Sequence, residues 1–342
     1  MNKDELYMQR AIDLAKNGFG SVSPNPMVGA VVVYKDKIVG EGWHREYGGP
    51  HAEVNALASV SNPEILSEST VYVTLEPCSH YGKTPPCADL LIKHEIKRVV
   101  VCVEDPNPEV SGRGIKRLRD AGIEVVTNVL EEEGKRINRR FFVNQLKSRP
   151  YVILKWAETS DGYLARTDGS SKWISSPESR VLVHKWRAEE DSILVGANTA
   201  ITDDPSLNVR DWQGPDPVRV VLDPDHSLPG NLKLFQDGGP TLCYTREFSG
   251  QKASCEWIAL GNEYSVQGIL KDLFSRKIGS LLVEGGSKTL NQFIRKDVWD
   301  EARIFVSRQT FGDGTKAPRL PANALKEEIN FTDRLLYYEN IQ

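Results

Sequence analysis

Apolar and polar residues follow two alternating patterns in the first half of the chain. Apolar residues at helical spacing are followed by short apolar runs that are typical of strands, and this order repeats. Helices are predicted over roughly 4–17, from His51, from Cys87 and over 131–146, and strands over 29–43, 69–77 and 98–105. Helices that alternate with buried strands predict a layered α/β domain.

The same alternation resumes after Pro150. Buried strands are predicted over 192–197, 217–223, 240–245 and 280–286, with helices and Pro/Gly-rich turns between them. A chain of 342 residues is about twice as long as a typical domain. We therefore predict two α/β domains, over 1–147 and 148–342, with the break where a helix ends before the proline-led strand.

Composition narrows the classes of function. The chain has 39% hydrophobic and 26% charged residues and a net charge of −4, so a broad basic surface for nucleic acid is not expected. The first 18 residues alternate charged and apolar positions, which predicts neither a signal peptide nor a membrane span, and we expect a cytoplasmic protein. Five cysteines are too few for a disulfide framework in a chain of this length.

Two of these cysteines form part of a candidate metal site. A catalytic zinc ion needs about three protein ligands, and thiolates with imidazole suit it. His51, Cys78 and Cys87 supply that number, while Glu53 is placed to move protons beside them. His80 is the less favoured further ligand, and Cys102 lies in an apolar strand and is predicted to be core.

The order "HAE", "EPC" and a later Cys resembles the zinc-dependent cytidine deaminase superfamily. The eight residues "SHYGKTPP" between the cysteines and the segment "SPNPMVGAVVV" look like the deaminase domain of the bifunctional deaminase/reductase family of riboflavin biosynthesis. The resemblance implies a cytidine-deaminase-like three-layer α/β domain. It also implies that the substrate pocket is lined by Asn25, His44, Lys83, Thr84, Asp105 and Asn107.

The second half lacks the Gly-x-Gly-x-x-Gly turn of a dinucleotide-binding fold, so its best anion site is the strand–Gly–Gly–helix turn in "SLLVEGGSKTLNQF". Together with "ILKWAETSDGYLA", "GSSKWISSPESR" and "GANTAITDDPSLNVR", this segment looks like the reductase domain of the same family, whose fold is similar to dihydrofolate reductase. The resemblance implies NADPH contacts by Ala157, Trp173, Thr199, Asp203, Gly286, Ser287, Lys288, Thr289, Leu290, Asn291 and Gln292. It implies substrate contacts by Ser171, Arg187, Leu207, Arg210 and Glu284, with Lys155, Asp203 and Glu284 assisting the reduction.

The function that the resemblance implies has two steps on small phosphoribosylaminopyrimidines. Zinc-dependent hydrolysis would remove the 2-amino group of 2,5-diamino-6-ribosylamino-4(3H)-pyrimidinone 5′-phosphate. NADPH would then reduce the ribosyl group of 5-amino-6-ribosylaminouracil 5′-phosphate to a ribityl chain. The same resemblance implies a homo-oligomer, a dimer or a tetramer, with neither nucleic acid nor membrane as a partner.

Two other classes of function compete with this interpretation. A deaminase that flips a base out of tRNA would need a basic, salt-sensitive surface, and the acidic charge balance opposes it. A structural zinc protein would need a fourth protein ligand to close the site and would give Glu53 no role.

Overall fold

The computed structural model describes residues 2–81, 85–107, 111–170, 174–321 and 323–340. The chain divides into two compact units, residues 1–148 and 149–342, and each is described by itself below. Within the described ranges, no helix is both long and apolar enough to cross a membrane.

The first unit contains one sheet with helices packed against it. Its strands are β1 Gly29–Tyr34, β2 Lys37–Trp43, β3 Thr70–Val73, β4 Arg98–Val101 and β5 Glu124–Val126, in the spatial order β2-β1-β3-β4-β5. Its helices are α1 Lys3–Ala15, α2 Ala52–Ala58, α3 Cys87–Lys93, α4 Arg113–Asp120, α5 Glu131–Ile137 and α6 Arg139–Lys147. The unit has two apolar cores, and successive residues of β1 alternate between them. Ala30 and Val32 belong to one core, and Val31 and Val33 belong to the other. Helices therefore cover both faces of the sheet, as the three-layer prediction requires.

Two predicted elements of this unit are wrong in detail. The single strand over 29–43 is a hairpin of β1 and β2, because Lys35 and Asp36 both have positive φ angles, 45° and 61°, which make a tight hairpin turn. The single helix over 131–146 is interrupted at Asn138. The buried Asn138 side chain accepts from the Met27 backbone N–H at 2.8 Å and donates to the Met27 carbonyl at 2.9 Å.

The second unit is built on a ten-stranded mixed sheet. Its strands are β6 Tyr151–Glu158, β7 Tyr163–Ala165, β8 Ser192–Gly196, β9 Val218–Leu222, β10 Thr241–Thr245, β11 Gly250–Lys252, β12 Cys255–Ala259, β13 Ser280–Gly285, β14 Glu301–Val306, β15 Thr315–Lys316, β16 Lys326–Asn330 and β17 Asp333–Glu339. Its helices are α7 Pro177–Glu189, α8 Ala197–Asp203, α9 Val266–Ser275 and α10 Ser287–Arg295. The large sheet has the order β11-β12-β10-β9-β8-β13-β6-β14-β17-β16, while β7 and β15 form a separate pair. The four strands predicted after 190 are confirmed as β8, β9, β10 and β13.

The middle of this sheet sets the position of the second candidate site. Strands β6, β13, β8, β9 and β10 are mutually parallel neighbours, so their carboxyl ends meet at one edge. Open parallel sheets bind ligands in the crevice at that edge. The residues that follow β8 and β13 begin α8 and α10 there.

Candidate active sites

The three predicted metal ligands come together in the first unit. Their ligand atoms, one from each of His51, Cys78 and Cys87, all lie within 4.8 Å of one another. His51 Nδ1 is 3.3 Å from Cys87 Sγ and 3.6 Å from Cys78 Sγ. One imidazole nitrogen and two sulfurs that converge in this way form a donor set that fits zinc, with a position left for water.

Helix starts position two of these ligands. His51 is the N-cap residue of α2, and Cys87 is the first residue of α3, as predicted. Cys78 was expected at the end of a strand, but β3 ends at Val73, so a loop carries this thiol. The Cys87 backbone N–H donates to Cys78 Sγ at 3.2 Å and stabilises the charged form of that sulfur.

The electrostatics of the two thiols differ. A hydrogen bond from Cys87 lowers the pKa of Cys78 to about 4, aided by His51 and opposed by burial. The same contact raises the pKa of Cys87, and burial and the neighbouring Glu53 raise it further. A bound cation would favour both thiolates, because a metal deprotonates the thiols that coordinate it.

Glu53 lies on the first turn of α2 with only 3% of its surface exposed. Burial raises the pKa of Glu53 to about 7, with a further contribution from the negative charge of Cys78 and an opposing one from His51. A carboxyl group with a pKa near neutrality can both accept and return a proton.

Asn25 and His44, the first two predicted substrate contacts, touch each other. His44 Nδ1 lies 3.0 Å from the Pro50 carbonyl oxygen, which can only accept, so this nitrogen carries the proton. His44 Nε2 therefore accepts from Asn25 Nδ2 at 3.1 Å. This contact directs the amide of Asn25, and burial lowers the pKa of His44 and favours its neutral form.

Two further predicted contacts of the deaminase pocket, Asp105 and Asn107, lie on the loop after β4. Asp105 accepts from the Asn107 backbone N–H at 2.8 Å, and burial raises the pKa of Asp105. The Asp105 backbone N–H donates to Glu76 Oε2 at 3.2 Å, which places Asp105 beside the segment that carries Cys78. His80 is exposed and is not part of the converging ligand group in the described ranges. Lys83 and Thr84 lie outside the described residues.

Sequence reasoning missed Glu76, which is 4% exposed and lies two residues before Cys78. Its carboxylate accepts from backbone N–H groups of the loop that carries Asp105 and of the start of α4. The signal for this role is weak in the sequence, because a glutamate between leucine and proline has no pattern that predicts its distant partners.

In the second unit, Glu284 is the centre of a buried ionic cluster. Arg187 donates to both of its oxygens, from Nε at 2.8 Å and from Nη2 at 2.9 Å, and Lys155 Nζ lies 3.6 Å away. The three side chains are 9–14% exposed. Burial alone would raise the pKa of Glu284, but Arg187 and Lys155 outweigh it and lower this pKa to about 2. Burial lowers the pKa of Lys155, with Glu284 opposing that shift.

The Gly–Gly turn lies at the carboxyl edge of the same sheet. A Cβ atom built on Gly286 would lie 2.9 Å from Thr199 Oγ1, and one built on Gly196 would lie 2.6 Å from Thr289 Oγ1. The turns after β13 and β8 therefore approach each other closely at the start of α10 and α8. Backbone N–H groups at such helix starts suit a phosphate.

The predicted cofactor residues of α10 do not share one environment. Lys288 and Gln292 are exposed. Ser287 and Asn291 are half-buried and hydrogen-bonded to each other. Leu290 is fully buried in the apolar core. Thr289 packs towards Gly196. The Leu290 side chain therefore packs in the protein core.

The other predicted contacts are spread around this edge. Ala157 lies on β6, two residues after Lys155, and Asp203 is the last residue of α8. Leu207 is buried with a φ angle of 53°, whereas Arg210 is exposed and donates to Asn208 Oδ1 at 3.3 Å. Ser171 and Trp173 lie outside the described residues.

Comparison with known proteins defines the class. Residues 1–103 match the cytidine and deoxycytidylate deaminase zinc-binding region, and residues 150–334 match the RibD C-terminal domain. The chain therefore joins a deaminase domain of the zinc type to a second, dihydrofolate-reductase-like domain, which confirms the predicted fold classes.

Full-length relatives identify the family. The chain is 43% identical to the riboflavin biosynthesis protein RibD of Aquifex aeolicus, over 95% of this chain and 93% of that protein. It is 35% identical to RibD of Escherichia coli, over 92% and 90% of the two chains. A crystal structure from Thermotoga maritima, a diaminohydroxyphosphoribosylaminopyrimidine deaminase/5-amino-6-(5-phosphoribosylamino)uracil reductase, is 40% identical with a TM-score of 0.90 over 99% of both chains. The chain belongs to the RibD family of riboflavin biosynthesis proteins. It is a bifunctional enzyme, a deaminase that uses zinc and a reductase that uses NADPH.

Proposed function

We propose that the first unit hydrolyses the 2-amino group of 2,5-diamino-6-ribosylamino-4(3H)-pyrimidinone 5′-phosphate. His51, Cys78 and Cys87 hold the zinc ion, which makes a water molecule nucleophilic near neutral pH when it is bound. Three converging ligand atoms, rather than four in the described ranges, support a catalytic site over a structural one. The tRNA-editing alternative has no support in the relatives, which are riboflavin biosynthesis proteins along the whole chain.

Glu53 transfers the protons in the proposed deamination. Its carboxylate takes one proton from the attacking water and gives it to a ring nitrogen. It then takes the second proton from the hydroxyl of the tetrahedral adduct and gives it to the amine, which leaves as ammonia when the C–N bond breaks. The Asn25 amide, held by the neutral His44, presents an oxygen and an N–H to the edge of the pyrimidinone. Asp105 and Asn107 complete the pocket from the loop after β4.

We propose that the second unit reduces the ribosyl group of 5-amino-6-ribosylaminouracil 5′-phosphate to ribityl. NADPH supplies the hydride, and the turn after β13 holds its phosphates at the start of α10. Lys155 and Glu284 present paired charges beside the ring-opened sugar. Arg187 holds Glu284 with two of its N–H groups and offers others to the ribose phosphate.

The single observation that carries the proposal is geometric: the buried Glu53 lies on the first turn of the helix that His51 caps, beside the converging ligand atoms of His51, Cys78 and Cys87. A split assay on the zinc-loaded protein tests it. Ammonia release from the diaminopyrimidine phosphate is followed without nucleotide, and NADPH oxidation is followed after the nucleotide is added.

Glu53→Gln should lower ammonia release by roughly 10²–10⁴-fold, which is the usual contribution of a general acid–base group. NADPH oxidation should be normal when the deaminated intermediate is supplied to this variant. The deaminase assignment fails if Glu53→Gln releases ammonia at the rate of the unaltered protein. The reductase assignment fails if the supplied intermediate does not lead to NADPH oxidation.

Two coarser predictions accompany this function. We infer that the enzyme acts on small molecules, because the residues assigned to both sites suit a phosphorylated heterocycle. A cytoplasmic location stays a prediction from the pattern of the first 18 residues. A homo-oligomer, dimer or tetramer, stays a prediction from the family resemblance, and light scattering with sedimentation velocity would test it.

A further inference from the structure

The Glu76 carboxylate lies between the cysteine loop and the segment that carries two predicted substrate contacts. Its Oε2 atom accepts from the Asp105 N–H at 3.2 Å and from the Gly112 N–H at 2.9 Å. Its Oε1 atom accepts from the N–H groups of Gly114 and Ile115, at 2.8 Å and 3.2 Å. One buried side chain thus binds four backbone donors on a segment about 30–40 residues further along the chain.

This carboxylate replaces the missing cap of α4. The N-cap residue of that helix is Gly112, which has no side chain to accept from the free N–H groups of the first turn. Glu76 supplies the acceptor from another element, and its negative charge is favourable at a helix N-terminus. The Glu76 backbone N–H also donates to the Val103 carbonyl at 2.9 Å, so both its backbone and its side chain bind the segment after β4.

The start of α4 and the backbone at Glu76 and Pro77 pack closely together. A Cβ atom built on Gly114 would lie 2.0 Å from the Pro77 carbonyl oxygen and 3.2 Å from Glu76 Oε1. Pro77 precedes the zinc ligand Cys78 directly. The start of α4 therefore rests against the backbone that carries the ligand, and only glycine leaves room for this approach.

We propose that Glu76 is a positioning residue for substrate binding in the deaminase. It fixes the distance between the Cys78 loop and Asp105, and through the Asp105–Asn107 hydrogen bond it also fixes Asn107. The proposal rests on the proposed function, because Asp105 and Asn107 are substrate contacts only if the deaminase assignment is correct. Glu76 itself makes its hydrogen bonds to backbone groups and is not a catalytic residue.

Glu76→Gln is the main test, because the amide keeps the shape of the side chain but offers one acceptor oxygen in place of two. One pair of N–H donors would then face an NH₂ group. KM for the diaminopyrimidine phosphate should rise tenfold or more, because the loss of two hydrogen bonds to a charged group exceeds the free energy that corresponds to a factor of ten. Zinc content and NADPH oxidation of the supplied intermediate should match those of Glu64→Gln, a control at an exposed glutamate of the same unit.

Gly114→Ala perturbs the same contact from the other side and leaves Glu76 unchanged. KM should rise again, and the combined variant should raise KM by less than the product of the two single effects, because both changes act on one contact. Amide exchange at Gly112, Gly114 and Ile115 should be faster in Glu76→Gln than in Glu64→Gln. This last measurement needs no substrate.

The outcomes separate the possible errors. Unaltered protein that releases no ammonia would overturn the proposed function and, with it, the substrate role of Glu76. Normal turnover in the unaltered protein, with a KM in Glu76→Gln within twofold of the control, would overturn this inference alone. Loss of zinc, or of kcat with KM unchanged, would show that Glu76 supports the metal ligand Cys78 and not substrate binding.

Discussion

The buried pair of Arg187 and Glu284 allows a quantitative prediction for Arg187→Met. The substitution keeps an apolar side chain of similar length but removes three hydrogen bonds of the guanidinium, one of them to the Asn208 carbonyl at 3.1 Å. The two to Glu284, at 2.8 Å and 2.9 Å, contribute about 1.5 kcal/mol each. A second route gives a similar value. A pKa of about 2 for Glu284, against 4.5 for the free side chain, corresponds to about 3 kcal/mol at neutral pH. This figure includes the contribution of Lys155, 3.6 Å away.

We expect Arg187→Met to lower the free energy of unfolding of the second unit by about 3 kcal/mol at pH 7, within the range for breaking a buried ion pair. For a unit of this length, that loss lowers the melting temperature by roughly 6–12 °C. Calorimetry of the full chain measures it, with the transition of the second unit assigned as the one that added NADPH shifts to higher temperature. Arg246→Met is the matched control, because Arg246 and Asp225 form a comparable ion pair with side chains 56% and 71% exposed. It should cost less than about 1 kcal/mol.

The pH dependence of the difference in unfolding free energy between the unaltered protein and Arg187→Met provides an independent check. Because the pKa of Glu284 is lower in the folded protein, its stabilising contribution is complete above pH 4.5 and is lost as the pH falls towards 2. The stability gap between the unaltered protein and Arg187→Met should therefore narrow in urea titrations between pH 5 and pH 3. A gap at pH 7 no larger than that of Arg246→Met, or one that stays constant down to pH 3, would refute the reasoning.

Three further predictions concern the metal, the cofactor turn and a structural ion pair. Cys87→Ala removes one of three ligands, so bound zinc measured by atomic absorption should fall well below one ion per chain while NADPH oxidation of the supplied intermediate persists. Gly286→Ala puts a Cβ atom 2.9 Å from the Thr199 hydroxyl oxygen at the turn and should raise KM for NADPH about tenfold or more. The control is Gly230→Ala, whose Cβ atom would meet nothing within 4 Å and should leave this KM unchanged. Arg149→Met leaves the buried Asp300 without its bidentate partner and should destabilise the second unit by about 3–5 kcal/mol in urea titrations; a loss below about 1 kcal/mol would contradict this.

The sequence predicted the elements with strong periodicity and missed those set by distant partners. The four parallel strands after 190 are short, largely apolar runs, and each was found within one or two residues of its bounds. The break at Asn138 could not be predicted, because it follows from two hydrogen bonds to Met27, 111 residues away. Those bonds connect α6 to the segment that carries Asn25, so the missed detail bears directly on the candidate pocket.

The hairpin of β1 and β2 was missed for a different reason. Lys35 and Asp36 lack the Asn-Gly or Asp-Gly signature of a tight turn, yet both adopt positive φ angles. The apolar pattern on either side is strong enough to close the turn with unfavoured residues. A pattern that is read only for periodicity therefore joins two strands that the chain separates.

The two sites differ in how much of their chemistry the sequence reveals. Zinc requires particular ligand atoms, so a histidine, a glutamate and two cysteines in the order of a known reaction predict a metal site before any fold is known. The cofactor supplies the hydride, and the protein has only to hold the cofactor and the substrate in the correct relative orientation. Lys155, Arg187 and Glu284 are common residue types, the last two are 97 positions apart, and no spacing rule connects them. Lys155 lies on β6, Glu284 lies on the neighbouring parallel strand β13, and Arg187 reaches Glu284 from α7. Family resemblance could therefore name these residues, while only the fold could show that they meet.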